Sequence, residues 1–260
     1  MAMLEVSDVT LTFRGLAALL NVGFSVEQGQ IASLIGPNGA GKTSMLNCIS
    51  GRYHPDEGKI ALNGRDLLPM AAHDRVTAGL SRTFQNIALF KGLSVLDNLM
   101  VGRHVRLDYG LLSSLFYWGK ARRSEDLHRK RIEEIIDFLG LSPYRHQVAG
   151  KLPYGVQKRV ELGRALAGEP ELLLLDEPMA GMNLEETEDM ARYILDINEE
   201  WGITVLLVEH DMGVVMDISD QVIVLDFGQI LATGTPAQVQ ADPNVVAAYL
   251  GSDNASFVGR

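Results

Sequence analysis

The octapeptide GPNGAGKT, Gly36 to Thr43, constrains this chain more than any other stretch. It fits the pattern G-x-x-x-x-G-K-[ST] and lies between an apolar run, IASLI (Ile31 to Ile35), and a helix-forming run, SMLNCI (Ser44 to Ile49). A buried strand that ends in a glycine-rich loop and opens into a helix gathers backbone N–H groups at a positive helix end, which suits phosphate oxygens. Gly36, Pro37, Asn38, Gly39, Ala40, Gly41 and Ser44 would line that space, Lys42 would reach the outer phosphates, and the Thr43 hydroxyl could ligate Mg2+. A chance glycine turn would not bring the lysine, the hydroxyl and both flanking elements together.

A loop of this kind needs neighbouring strands. ELLLL (Glu171 to Leu175) and ITVLLV (Ile203 to Val208) are short continuous apolar runs of the buried parallel type. LEVSDVTLTF (Leu4 to Phe13) and GKIALNG (Gly58 to Gly64) alternate instead, as antiparallel strands do. The mixture predicts an α/β core with an antiparallel β flank. Between about Gly92 and Leu152 strand signals vanish, and Ile132, Ile135, Ile136 and Leu139 recur at helical spacing, which predicts an inserted helical subdomain. The basic run Lys120, Arg122, Arg123, Arg129, Lys130 and Arg131 in that insert reads as a solvated helix face rather than a lipid-binding one. No internal repeat or low-complexity tract stands out.

Composition narrows the function. The 260 residues are 47% hydrophobic and 22% charged with a net charge of −10, enough for a large core and unsuited to gripping nucleic acid nonspecifically. The longest apolar runs fall short of the roughly 20 residues of a membrane helix, and the beginning MAMLEVSDVT lacks a secretion signal. Cys48 is the single cysteine, so no internal disulfide forms, and its place on an apolar helix face suggests packing.

Two further stretches carry chemistry. ELLLLDEP ends an apolar strand in Asp176 and Glu177, where an α/β sheet places its ligands. Asp176 suits Mg2+ and Glu177 suits polarising a water, although Asp176 could also merely cap the next turn. His210, in EHD after ITVLLV, could meet a γ-phosphate; alone it would read as a turn histidine. In KLPYGVQKRVELGRAL (Lys151 to Leu166) a regular helical pattern begins at Val156, preceded by Leu152, Pro153, Tyr154 and Gly155. That start could be an ordinary helix beginning or half of a phosphate site.

Taken in order, the phosphate loop, Gln85 in SRTFQNIALF, LPYGVQKR, LLLLDEP and EHD resemble the motifs of ATP-binding cassette (ABC) ATPase domains over nearly the whole chain. The resemblance implies a P-loop NTPase (RecA-like) α/β fold, ATP and Mg2+ as cofactors, and catalytic roles for Glu177, His210 and Gln85. Gln85 would also touch the metal with Thr43 and Asp176, and would couple the helical subdomain to the sheet. Leu152, Pro153, Tyr154, Gly155, Val156 and Gln157 occupy the place of the family's signature, usually leucine-serine-glycine-glycine-glutamine, which completes an ATP site on the opposite subunit. Phe13 stands where an aromatic ring usually stacks on adenine, yet Val9, Leu11 and Phe13 also alternate like a buried strand face. Asn183 replaces a usual aspartate and keeps an acceptor without the charge. Exposed residues near Gln85, such as Asn86 and Phe90, would dock the membrane subunits.

Within that family, Tyr154, AGMN after Pro178, EHDM and the tail GTPAQVQADPNVVAAYLG look most like ATP-binding subunits of bacterial branched-chain amino acid importers. The implied partners are transmembrane permease subunits, a second ATP-binding subunit and, indirectly, a solute-binding protein, with the chain peripheral on the cytoplasmic face. The expected divisions are 1–91 (first part of the core with the β flank and phosphate loop), 92–157 (helical subdomain ending in the signature), 158–235 (rest of the core) and 236–260 (helical tail). A soluble ABC ATPase uncoupled from transport is the alternative. A P-loop GTPase or small-molecule kinase would leave LPYGVQ and EHD unexplained, and the sequence holds no asparagine-lysine-x-aspartate guanine motif.

Overall fold

Strand β3 (Ile31–Ile35) is buried at all five positions because it runs between two parallel neighbours, β8 (Thr204–Val208) and β9 (Gln221–Asp226). The structure, a computed structural model, describes residues 2–85, 87–104 and 120–250; Asn86, and the side chains of Lys120, Arg122 and Arg123, lie outside the described residues. Beyond β8 come β7 (Leu172–Asp176) and the short β6 (Leu80–Arg82), both parallel, while β10 (Gln229–Gly234) closes the other edge as an antiparallel hairpin with β9. Asp176 is in register with Val208, and Val208 with Leu34, so the carboxyl ends of β3, β8 and β7 finish side by side.

The second sheet is antiparallel, ordered β2 (Leu16–Glu27), β1 (Ala2–Phe13), β4 (Glu57–Leu62), β5 (Arg65–Asp66). In β1 the buried face runs Leu4, Val6, then Val9, Leu11; the phase change falls on a bulge at Asp8, whose φ is 53°. The two sheets share one core. Leu172 and Leu174 of β7 point into it, together with α1 (Lys42–Ile49), whereas Leu173 and Leu175 point into a second core on the opposite face.

That second core holds the helical insert: α3 (Val95–Arg103), α4 (Lys120–Phe138) and α5 (Tyr154–Leu166), with α6 (Leu184–Trp201). Ile132, Ile135, Ile136 and Leu139 are all buried there, as their spacing predicts. Arg129 and Lys130 are exposed, and Arg131 lies over the Trp201 ring and pairs with Glu134, so these members of the basic run belong to a solvated face. Helices α7 (Met212–Ile218), α8 (Pro236–Gln240) and α9 (Pro243–Leu250) make a smaller cluster against Ile35, Val222 and Val224. Among the described residues no helix is long and apolar enough to cross a membrane. Cys48 is buried in the first core, and that burial pushes its thiol up to about 11, so it packs as an apolar group.

One polar side chain supports the far end of α1. Arg75, on α2 (Ala72–Thr77) and 1% exposed, donates to the carbonyls of Cys48 (2.7 Å) and Ile49 (2.8 Å) in the last turn of that helix, the first of which also takes the Gly51 N–H at 3.2 Å. Gly51 leaves room for it, since a Cβ there would lie 2.8 Å from the guanidinium. Replacing Arg75 by methionine removes both guanidinium bonds from these carbonyls in the core. It is expected to cost on the order of 3 kcal/mol, read as a lower urea midpoint with an unchanged slope.

Candidate active site

The phosphate loop leaves β3 through a gap that admits only glycine. Gly36 has φ 147°, and a Cβ there would fall 2.0 Å from the carbonyl oxygen of Leu225 on β9. Gly41, with φ 105°, caps α1 under similar crowding, 2.7 Å from the Ala18 oxygen. The loop closes around the side chain of Lys42, whose Nζ donates to the carbonyls of Gly36 (2.7 Å) and Pro37 (3.0 Å). Burial holds the Lys42 ammonium below its usual range, while Glu177 and Asp176 pull the other way, so the lysine lies within the field of both carboxylates. Asn38, Gly39 and Thr43 are exposed at the mouth.

Asp176 ends β7 with only 2% exposure, and Arg82 at the end of β6 neutralises it: one guanidinium nitrogen lies 2.9 Å from Oδ2. The other guanidinium nitrogen donates to the Asn47 amide oxygen and the Ser50 hydroxyl on and just after α1, at 2.8 Å each. Asp176 Oδ1 is buried and makes no hydrogen bond among the described residues. A buried carboxylate oxygen left without a partner among the described residues fits a hard, oxygen-seeking cation such as Mg2+.

Glu177 turns away from the strand in the left-handed region, φ 48°, held by its N–H to the Val208 oxygen (2.9 Å). Its Oε2 accepts from the Gln85 amide at 2.9 Å. The structure therefore brings Lys42, Gln85, Asp176 and Glu177 together at the ends of β3, β6 and β7. His210 is near them in the chain path after β8, yet its imidazole is 66% exposed, 3.8 Å from Glu209, and makes no hydrogen bond with those four. Phe13 is 43% exposed and meets the Tyr53 ring edge to face at 5.2 Å, so it leaves the buried series of Val9 and Leu11.

The signature stretch forms the start of α5. The helix begins at Tyr154, two residues before the regular apolar pattern, with Pro153 as an extended, exposed cap (φ −53°, ψ 152°) that offers no side-chain hydrogen bond. The first-turn N–H groups have no intrahelical acceptors. Gly155 packs against Glu186, whose Oε1 would lie 2.3 Å from an added Cβ. Glu186 in turn completes a capping box with Asn183 at the start of α6, so the amide in AGMN works as a helix cap. Leu152 and Val156 are buried, and Gln157 donates back to the Leu152 carbonyl at 2.8 Å.

Comparison with known proteins fits this geometry. The sequence pattern of ABC transporters matches residues 19–180. The chain belongs to the ABC transporter family. The pattern of the branched-chain amino acid ATP-binding cassette transporters matches residues 229–255 of this ABC cassette. The branched-chain amino acid transport ATP-binding protein BraF of Pseudomonas aeruginosa is 42% identical over 248 residues, 95% of this chain and 97% of that protein. LivG of Escherichia coli, named for the same transport, is 39% identical over 249 residues, 96% of this chain and 98% of that protein. A nucleotide-free ATP-binding cassette from an ABC transporter superposes with a TM-score of 0.83 at 32% identity, covering 100% of both chains. The ADP conformation of MJ1267, an ATP-binding cassette of an ABC transporter, gives 0.84 at 33% identity, over 97% of this chain and 100% of that one.

Sequence reasoning missed four charged side chains buried around this site of the ABC ATPase. Arg82 has no signal, being one arginine at the end of a three-residue strand. Lys158 and Glu161 fall on one face of α5 inside VQKRVELGR, a spacing that could have been noticed. Glu209, beside His210, is 2% exposed and accepts the N–H of Met179 (2.9 Å) and of His210 (3.2 Å), fastening the end of β8 to the turn after Glu177. Burial raises the Glu209 carboxyl above its usual range. A carboxyl whose folded value is raised binds its proton more tightly when folded, so its ionisation costs stability as pH rises through that window. Glu209→Gln is expected to remove this contribution. Its stability relative to wild type should improve from pH 4 towards pH 7 in urea titrations, and a constant difference would contradict the assignment.

Proposed function

We propose that this ABC ATPase is the energising subunit of an importer for branched-chain amino acids or related small polar solutes. The observation that carries this reading is the convergence of Lys42, Gln85, Glu177 and the unpartnered Oδ1 of Asp176 at the carboxyl edge of the sheet. The phosphate loop holds the phosphates of ATP, and Lys42 exchanges the carbonyls of Gly36 and Pro37 for outer phosphate oxygens. Phe13 offers its exposed face to the adenine. Thr43, Asp176 and Gln85 would hold Mg2+, which supplies charge neutralisation to the phosphates. Glu177 orients a water and takes its proton as the water oxygen bonds to the γ-phosphorus and the bond to the β-phosphate oxygen breaks, giving ADP and phosphate. His210 swings towards the γ-phosphate, an exposed imidazole free to move.

The start of α5 completes the site of a second ATP-binding subunit, which uses the free N–H groups and the dipole of that helix. Permease subunits dock on the exposed surface near Gln85, where Phe84 and Phe90 stand out from the protein, and place the chain on the cytoplasmic face of the membrane. The amino acid class rests on the tail pattern at 229–255 and on the likeness to BraF and LivG, both transport proteins, which favours this reading over an uncoupled soluble ATPase.

Lys42→Ala is expected to abolish productive ATP binding, whereas Glu177→Gln should bind ATP, lose turnover and accumulate as an ATP-bound dimer. Equilibrium nucleotide binding and gel filtration separate the two; normal hydrolysis by the assembled Glu177→Gln protein would remove Glu177 from this role.

Pro153 has neither the hydroxyl that the family's usual serine offers nor a backbone N–H. The loss of one hydrogen bond to a charged group, about 1.5 to 3 kcal/mol, weakens a site by roughly one to two decades. The signature of this chain therefore makes the poorer of two sites in an asymmetric heterodimer, and the isolated chain hydrolyses ATP slowly. Pro153→Ser should raise turnover in the isolated chain by about tenfold; no change or a fall would make Pro153 a plain helix cap.

A further inference from the structure

The body of α5, beyond its free N-terminus, grips both loops that carry the reactive side chains. Tyr154, Lys158 and Glu161 are spaced to share one helix face. Lys158 is 3% exposed, and its Nζ donates to the carbonyls of Gln85 (3.4 Å) and Glu177 (3.3 Å), bridging two loops that are distant in sequence. The Tyr154 ring covers that ammonium from the mouth of the site, 5.9 Å to its centroid, and the Tyr154 hydroxyl donates to the Ala180 carbonyl at 3.1 Å. Ala180 N–H itself returns to the Glu177 carbonyl at 3.2 Å, so the tight turn from Glu177 to Ala180 is held from both ends. One turn further along, the Glu161 carboxylate accepts the N–H groups of Phe84 (3.4 Å) and Ala88 (3.2 Å), which flank Gln85, and Arg164 donates to the Ala88 carbonyl.

The charges facing Lys158 come from every neighbouring element: Glu161 on its own helix, Glu209 after β8, and Glu177 and Asp176 at the end of β7. Burial nevertheless holds its ammonium below the usual lysine range. A desolvated cation in such a place needs polar partners, and here they are main-chain oxygens of the two loops. Glu177 meanwhile sits at a φ of 48°, which a non-glycine residue keeps only under restraint.

We propose that Lys158 and Tyr154 are positioning residues that lock the backbone of Glu177 and Gln85 to the signature helix. The set of this chain's own catalytic carboxylate then follows whatever its signature turn contacts across the subunit boundary. The proposal rests on the roles given above to Glu177 and to the signature. It makes the two nucleotide sites of a dimer communicate through one rigid helix: a shift at Tyr154 reaches Glu177 through two hydrogen bonds, with no loop rearrangement between them.

The test uses the full-length chain assembled with its membrane subunits, measuring ATP turnover, binding of a non-hydrolysable ATP analogue and the unfolding midpoint. Lys158→Met should lower kcat by about tenfold or more while leaving analogue affinity within about twofold, and Lys158→Arg should recover most of the loss. Tyr154→Phe, which keeps the ring and removes only the bond to Ala180, should lower kcat by about threefold at unchanged affinity and decides the matter if Lys158→Met fails to fold. A Lys158→Met protein with kcat within twofold of wild type overturns the proposal. So does one whose kcat, affinity and unfolding midpoint fall together without recovery in Lys158→Arg. An inert Glu177→Gln alongside a fully active Lys158→Met rejects the latch alone; normal hydrolysis by Glu177→Gln rejects the role of Glu177 and the latch with it.

Discussion

The burial of Asp176 is the constraint around which the rest of the structure is arranged. A carboxylate at 2% exposure needs a partner, and Arg82 supplies it at 2.9 Å. Arg82 can do so only because β6 lies beside β7, and it stays because Asn47 and Ser50 hold its other nitrogen. One ion pair therefore fixes the sheet edge, the strand end that carries Asp176 and Glu177, and the helix that begins at Lys42. It also leaves Oδ1 without a hydrogen-bond partner among the described residues. A surface ion pair would contribute little to such an arrangement; this one is desolvated, and removing either member would strand a charge.

A second consequence concerns what glycine does at the other side of the site. The phosphate loop passes so close to β9 that Gly36 cannot carry a side chain, and Gly41 meets the same limit against Ala18. The loop is thereby clamped between the two sheets, and the Lys42 ammonium finds its partners in the loop's own carbonyls. A loop clamped this way keeps its glycine-rich turn and the Lys42 ammonium in one arrangement, the kind of preorganisation that phosphoryl transfer rewards.

Much of this was legible in the sequence, and the reasons for the rest are physical. β3, β7 and β8 announced themselves because strands buried on both faces are apolar throughout, and the isoleucines of α4 did so by their period. β6 was invisible, being three residues with an arginine at the end; β2 was hidden by exposed apolar positions such as Leu16 and Leu20, which blur its alternation. The phosphate-loop, LLLLDEP and LPYGVQ motifs could be read because their spacing is local. Arg82 and Glu209 gave no such signal, and Lys158 and Glu161 gave only their spacing on one helix face, since a buried charge looks like a surface charge until the partner that neutralises it is brought near by the fold. Helix α5 shows the same limit: its apolar residues set a period starting at Val156, while backbone geometry starts the helix at Tyr154, where the proline cap fixes an extended approach.

Helix α5 also explains why the site tolerates so much buried charge. Its second and third turns carry Lys158, Glu161 and Arg164 inward to satisfy the backbone on either side of Gln85. Loop main chain at that depth has no sheet to pair with, and charged side chains supply its missing partners. Replacing these residues by apolar ones would relieve desolvation and leave carbonyls and N–H groups of both loops unpaired, the larger cost where several of them converge. The buried charges therefore serve as the scaffold of the loops, and one helix holds the backbone at Glu177 and on both sides of Gln85.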